Sequence, residues 1–529
     1  MKKFAFSILP ALLLALVSCM NMSSGSEGGS VRVVLPSSSR ALYSSGHDDV
    51  DSFTVRLLLD EKIINEKSIT KETADTGGAI VFDELEPATY TVEVEGRMSI
   101  KDVLLYFGTE EAKVTAGQDA DCQVKLKKDC QIYDISFDAK ELKTACEADG
   151  NAYIFMGADS SVSTNQATSD NNQLANITSG TKIIRGNGGK VQQSTDDNKT
   201  LTTEGGQIKL FNVTGSSTIL EINNLTFTAS STVGTTSTLD GALICVDDGA
   251  TVILKQCLIK DISISRSSKD TSFIYVKNGT LLLENCSFLN NATGSGNGAK
   301  YTECIRIENG AQVEVVSCNF EGNGNAYSTS NAAAIENFGS CRIINTTFKD
   351  NLAQRGGAIM NNDSGSLEIE DSTFTGNANN NTTGYYAKRG GAIFIQGGKV
   401  QIKNTAFTGN ETYGDSQGGE HNTNGEFQKL GGGAISIKTG SLVLQSTRFK
   451  NNSVTSTDSN DAYGYGGAVL VEQSDASLLL KDANGTAMDI ASYINKYMSG
   501  NTTEKADAGK NIYCNGGTIN GTVYTKAWE

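Results

Sequence analysis

The sequence predicts an all-β protein: a small β-sandwich followed by a parallel β-helix solenoid. Three observations predict it. One stretch recurs, as GGAIMNNDSGSLEIEDSTFTGN from Gly356, GGAIFIQGGKVQIKNTAFTGN from Gly390 and GGAISIKTGSLVLQSTRFKNN from Gly432. Aligned copies share aliphatic columns two residues apart, the period of a strand with one buried face. The 529 residues include 56 Gly but only 3 Pro, which suits tight turns between short strands and argues against a collagen-like or disordered chain. A repeat this short cannot bury its own apolar face, so copies must stack on one another.

The net charge of −16 leaves no basic footprint for displacing counterions, which excludes a nucleic-acid partner. Residues 1–18 place Lys2 and Lys3 ahead of an apolar run from Phe4 to Val17, the pattern of a secretory signal peptide. The run ends in Leu16-Val17-Ser18-Cys19, which resembles a bacterial lipobox. The resemblance implies cleavage before Cys19, lipidation of Cys19 and a membrane partner reached through that lipid, since each buried CH₂ adds about 0.8 kcal/mol. Met20 follows instead of Asp, so the expected location is the outer membrane, at the cell surface or on its periplasmic face. Residues 19–30 read as the lipidated cysteine and a Ser/Gly tether. No later run is long and apolar enough to span a bilayer.

Residues 31–128 read as the sandwich. Val31–Leu35, Phe53–Asp60 and Thr89–Gly96 alternate or are rich in β-formers and are expected to be antiparallel strands. Phe82, Leu85, Pro87 and Tyr90, within GGAIVFDELEPATYTVEVEG, resemble the signature of transthyretin-like and carboxypeptidase-regulatory-like modules. The resemblance implies a spacer. His47 stands alone in a polar loop and is read as solvated.

Residues 129–203 are expected to form irregular first coils and an N-terminal cap, and 204–529 the repeats with a C-terminal cap. With the aromatic of FTGN as position zero, eight copies fall at Phe227, Ile259, Phe288, Phe320, Phe348, Phe374, Phe407 and Phe449. Position −7 runs Leu220, Val252, Leu281, Val313, Cys341, Leu367, Val400 and Leu442; position −5 runs Ile222, Leu254, Leu283, Val315, Ile343, Ile369, Ile402 and Leu444. The step from −5 to −2 is odd, so the strand period breaks there. Polar residues at −3, from Asn224 to Ser446, are expected to supply a turn in the left-handed region. Position +3 is Asn in six copies, Asn291, Asn323, Asn351, Asn377, Asn410 and Asn452. Upstream, GGAI opens a third strand, with an Ala column read as Ala242, Cys304, Ala334, Ala358, Ala392, Ala434 and Ala468. Coils stacked at a strand spacing of about 4.8 Å would set like residues in ladders. A ninth zero position is expected at Met498, with Asn501 at +3, and Thr486–Tyr497 has helical spacing.

GGAI followed by FxxN, in this fixed order over about residues 200–515, resembles the repeat of polymorphic outer-membrane proteins. The resemblance implies a right-handed, pectin-lyase-like parallel β-helix that acts in adhesion and as a surface antigen. Members of that family generally end in a membrane barrel. This chain ends in NGTVYTKAWE and carries a lipobox, so lipid anchoring replaces autotransport in this reading.

Four patterns could carry chemistry. Cys257, Cys286 and Cys318 share one inward column and are read as buried thiols acting as small hydrophobes. Outward Arg306, Glu308, Glu314, Glu368, Glu370, Lys403 and Lys438 are the material for a polysaccharide lyase or hydrolase, but no Asp pair joins a His and an Arg in one copy. His421 is the only His of the array. Asp458–Gly464 and Gly414–Glu420 are acidic, Gly-rich loops without EF-hand spacing, so neither a metal nor another cofactor is expected. The intervals between FxxN and the next GGAI vary in length and carry Tyr301, Tyr327, Tyr385, Tyr386, Tyr413, Tyr463 and Tyr465 among Asn, Gly, Ser and Thr. Tyrosine set among small polar residues is the composition of an adaptable binding surface. The functional expectation is therefore a non-enzymatic adhesin or interaction module for a host matrix protein or glycan. The alternatives are a polysaccharide-active enzyme and a passive structural or antigenic coat.

Overall fold

The structure is a computed structural model that describes residues 28–35, 50–75, 78–98, 103–135, 139–163, 173–186, 199–204, 209–229, 243–264, 272–293, 303–324, 331–379, 389–414, 430–456, 463–504 and 508–529. It divides near Asp129 into two units.

In the first unit Gly29–Val34 lies between Ala79–Leu85 and Asp119–Gln123, and a second sheet runs Lys62–Thr70, Ser52–Leu59, Thr89–Met98, Val103–Lys113 and Lys127–Lys128. Alternate residues of both sheets, including Val31, Val33, Val55, Leu57, Phe82, Val92 and Val94, are buried, as in sheets that share a core. The Tyr90 hydroxyl donates to the Glu86 carbonyl at 2.8 Å, so this buried ring keeps its polar end satisfied. One expectation is corrected. Gly29–Val34 pairs antiparallel with Ala79–Leu85 but parallel with Asp119–Gln123, so this sheet is mixed.

The second unit is a parallel β-helix. Each coil lays down three strands, as in Ile393–Ile395, Lys399–Lys403 and Ala406–Thr408. Equivalent strands of successive coils pair in parallel, and the third strands alone form an eleven-stranded sheet. The sequence columns become ladders residue for residue. Leu220, Val252, Leu281, Val313, Cys341, Leu367, Val400 and Leu442 are consecutive partners in register, continued by Leu478. The zero column pairs from Phe227 through Phe449 to Met498.

Two local features explain why the coil closes. All eight −3 residues have φ between 46° and 55°, the left-handed turn their polar side chains tolerate. At the GG pair, Gly390 has φ +63° and a Cβ on Gly391 would stand 2.1 Å from the Gly433 carbonyl oxygen, so neither position admits a side chain.

The ends are closed differently. The helix Ala139–Glu147 buries Ala139, Leu142, Ala145 and Cys146 in the solenoid core at its N-terminal end. Coil strands are already in register from Cys130–Ile135 and Asn151–Met156 onward. At the other end Thr522–Trp528 pairs antiparallel with Ile512–Ile519. The helical spacing of Thr486–Tyr497 yields a helix over Ile490–Tyr497 only. Asp489 caps it by accepting from the Ser492 N–H at 2.9 Å, which starts the helix later than the spacing suggests.

The Ala column is also corrected. Ile244 pairs with Ile274, so Leu243, and not Ala242, stands in line with Phe273, Cys304 and Ala334. Ala242 lies outside the described residues.

Candidate functional site

The frame of the site is a column of asparagines at the edge where each coil leaves its third strand. Asn291, Asn323, Asn351, Asn377, Asn410, Asn452 and Asn501 are buried. Take Asn377. Its Nδ2 donates to the Phe348 carbonyl at 2.9 Å and to Asn410 Oδ1 at 3.0 Å. Its Oδ1 accepts from the Asn351 backbone N–H at 3.1 Å and from Asn351 Nδ2 at 2.9 Å. Each amide thus satisfies backbone groups that the corner would otherwise bury unpaired. The ladder begins where Ile262 N–H donates to Asn291 and ends where Asn501 donates to Asn511.

Immediately after this column come the variable insertions. Among the described residues, those of the GGAI coils all fall between a third strand and the next first strand, while the strands keep their lengths. Tyr301, Tyr327, Tyr385 and Tyr386 lie outside the described residues, as do His421 and both acidic loop segments 415–420 and 458–462. So does Cys19. Tyr413 is half-buried in Glu411–Gly414 and its backbone N–H donates to Asn379 Oδ1 at 3.1 Å. Tyr463 lies in the short strand Tyr463–Tyr465, which pairs with Leu430–Gly431. Tyr465 is buried, its ring centroid 4.7 Å from that of Tyr513 and packed with Leu470 and Ala508. That ring is a packing residue and offers no contact surface.

The outward face of the first sheet is covered. Its outward column includes Glu336, Met360, Phe394, Ser436 and Leu470, none more than 1% exposed. Arg306 does not face solvent with its neighbours. Its Nη1 donates to Glu336 at 2.6 Å, its Nε to Glu308 at 2.7 Å, and its guanidinium lies 4.8 Å from the Phe338 ring centre. Three other outward carboxylates are paired with cations on the next coil: Glu314 with Arg342 at 2.6 Å, Glu321 with Lys349 at 2.6 Å, and Glu370 with Lys403. Of the outward charges named from sequence, Arg306, Glu314, Glu368, Glu370 and Lys403 lie on strands and Glu308 and Lys438 just after them, while the ion pairs between coils were not legible because they depend on which coil is adjacent.

It also missed what the cysteines do. The −2 column is a hydrogen-bonded ladder. Thr346 and Ser372 hydroxyls each donate to the carbonyl two residues earlier, at 2.9 and 2.8 Å. Each also accepts from the −2 backbone N–H of the preceding coil, Cys318 N–H to Thr346 at 3.3 Å and Thr346 N–H to Ser372 at 3.1 Å. Cysteine does the same. Cys286 Sγ donates to Leu254 O at 3.3 Å, and Cys286 N–H donates to Cys318 Sγ at 3.4 Å. The column therefore requires a small side chain that both donates and accepts, which corrects the reading of these thiols as plain hydrophobes. At the last coil the Tyr493 hydroxyl takes the role, donating to Thr447 O at 3.0 Å and accepting from Thr447 N–H at 3.2 Å. Accordingly, Cys318→Ser should shift the urea midpoint little, whereas Cys318→Val should cost about 1–3 kcal/mol by leaving the buried Cys286 N–H unpaired.

Ten cysteines are described, and all are buried. Burial pushes the Cys341 thiol up to about 12 and holds Cys257 well above the ordinary range. Cys257 and Cys341 therefore stay protonated near neutral pH and are poor nucleophiles and poor metal ligands. The linkage has a definite sign. The unfolded chain ionises near pH 8.5 while the folded chain keeps its protons, so stability is full below that pH and falls as pH rises through the folded values. Urea midpoints at pH 7.5 and 10 should differ, the alkaline one being lower.

No family model matches the chain, and no curated protein matches it either. Among solved structures it is similar to a family 28 exopolygalacturonase from Yersinia enterocolitica, at 10% identity over 83% of this chain and 94% of that one, with a TM-score of 0.18.

Proposed function

We propose that this protein is lipid-anchored to a bacterial envelope and works as a non-enzymatic interaction module, with the insertions along one edge of the β-helix contacting a host matrix protein or a glycan. One observation supports the reading. From the coil that starts at Cys304 to the one that starts at Gly432 the three strands repeat while the segments after the Asn column change most in length and composition. A rigid scaffold with variable connections at one edge is how binding surfaces are diversified without refolding the frame. The covered first sheet and the charge-paired outer faces favour this over a substrate groove.

The test uses Tyr385, Tyr386 and Tyr463 changed together to Ser, with Tyr465 left in place because it is buried. Binding to immobilised matrix proteins and a glycan array should fall by roughly tenfold, as expected when contact aromatics are removed, and the unfolding midpoint should not move. Unchanged binding sinks the proposal. Release of reducing ends or unsaturated products from acidic polysaccharides with calcium would replace it with the enzymatic reading.

A further inference from the structure

The connections from the Asn column to the next Gly pair are unequal, and the longest runs from Asn410 to Gly432. Its rung begins at Gly432 and runs to Lys450 through the strands Ile435–Ile437, Gly440–Gln445 and Arg448–Lys450. Closing a longer connection costs more chain entropy, so this rung is the one whose docking is least favoured by connectivity. Its inward residues give it no identity of its own. Ile435, Ile437, Leu442, Leu444, Phe449 and Asn452 repeat the types found in the neighbouring coils.

What is unique sits on the outside of this rung. Arg389 belongs to the coil before it and Glu472 to the coil after it, and both side chains are buried, at 1% and 2% exposed. Arg389 Nε donates to both carboxylate oxygens of Glu472, at 3.0 and 2.8 Å. The contact therefore spans a whole coil. Ser436, from the coil in between, donates its hydroxyl to the same carboxylate. Phe394 lies beside it, its ring centre 5.5 Å from the guanidinium carbon. One rung earlier the arrangement has no counterpart. Arg355 is the partner of Arg389 across the coils, and two coils beyond Arg355 the residue in the place of Glu472 is Lys438, a like charge.

A buried ion pair is a poor source of net stability but a strong specifier of arrangement, because a misplaced charge is left without its partner. We propose that Arg389, Ser436 and Glu472 form a clasp that holds the rung Gly432–Lys450 in place between its neighbours. The three groups meet only when that rung is docked, since one of them comes from it and the other two from either side of it. The clasp acts locally and is independent of what the insertions bind.

The test is amide hydrogen exchange by mass spectrometry on the full chain, comparing wild type with Glu472→Gln, which leaves the buried Arg389 guanidinium without its counter-charge. Peptides from 432–450 should exchange about tenfold faster or more, with peptides from 305–349 unchanged, the mark of a local opening. Ser436→Ala should give a smaller change confined to the same peptides. If Glu472→Gln does not fold, Ser436→Ala carries the test with the same expected pattern. Exchange that speeds up equally in all coils, or does not change in 432–450, overturns the proposal.

Discussion

Asn377→Asp should destabilise the β-helix by about 3–5 kcal/mol at neutral pH, the scale for leaving a buried charge uncompensated. The substitution changes one NH₂ group to an oxygen and nothing else in shape. Yet Asn377 Nδ2 faces two acceptors, the Phe348 carbonyl and Asn410 Oδ1. A carboxylate there meets two oxygens in a buried column and has no cation to pair with along it. Its folded-state pKa must rise above the unfolded value. Between those two values the folded chain holds the proton that the unfolded chain has lost, so stability falls as pH rises and is partly recovered in acid. Urea denaturation from pH 4 to 8 measures this. A variant as stable as wild type at pH 8 would mean that the amide donors contribute nothing. Asn377→Ala leaves the Asn351 N–H and the Phe348 carbonyl unsatisfied without adding charge, so it should cost less at pH 8 and show no such pH slope.

Phe374→Ala should cost about 3–5 kcal/mol, the range for emptying a core phenylalanine site. Phe288, Phe320, Phe348, Phe374, Phe407 and Phe449 stack with centroids 4.6–5.0 Å apart and planes within 5–10°. Phe374 has a stacked ring on both sides, so truncation removes two ring contacts and opens a cavity that parallel strands locked in register cannot close. Phe374→Ile should be far milder, because Ile259 already holds the same position next to Phe288. Calorimetry or urea titration of the two variants separates volume from aromaticity. Equal losses would mean that the stacking geometry, and not the filled volume, is what the column needs.

Most of the frame was readable because the β-helix writes its rules once per coil. Every ladder is a contact between residues of the same type about thirty positions apart, so a column of Ile, Phe or Asn in the sequence already is a row of contacts. The break in strand period between −5 and −2 marked the turn, and the polar residue at −3 supplied its conformation. The register slipped at Ala242 because GALIC offers two aliphatic starts and only pairing with Ile274 chooses between them. The N-terminal unit was legible as strands but not as topology, since nothing in the alternation of Val31–Leu35 says that one of its neighbours runs parallel. The candidate site was legible only as composition. Tyr465 and Tyr413 read alike in sequence, yet one ring is buried against Tyr513 and the other is half-exposed.

By itself, then, the sequence determined the repeat, the three-strand coil, the identity of the inward columns and the edge at which the chain varies, because these depend on periods of two and on spacing within one coil. The tertiary structure decided what depends on which coil lies next to which. It turned outward carboxylates into ion pairs between coils, made Cys286 a hydrogen-bonding equivalent of Ser372, placed the Tyr493 hydroxyl where a ninth −2 residue would be, and joined Arg389 to Glu472 across an entire coil. Those contacts link residues tens of positions apart whose chemistry differs, and only stacking the coils in register brings them within hydrogen-bond reach.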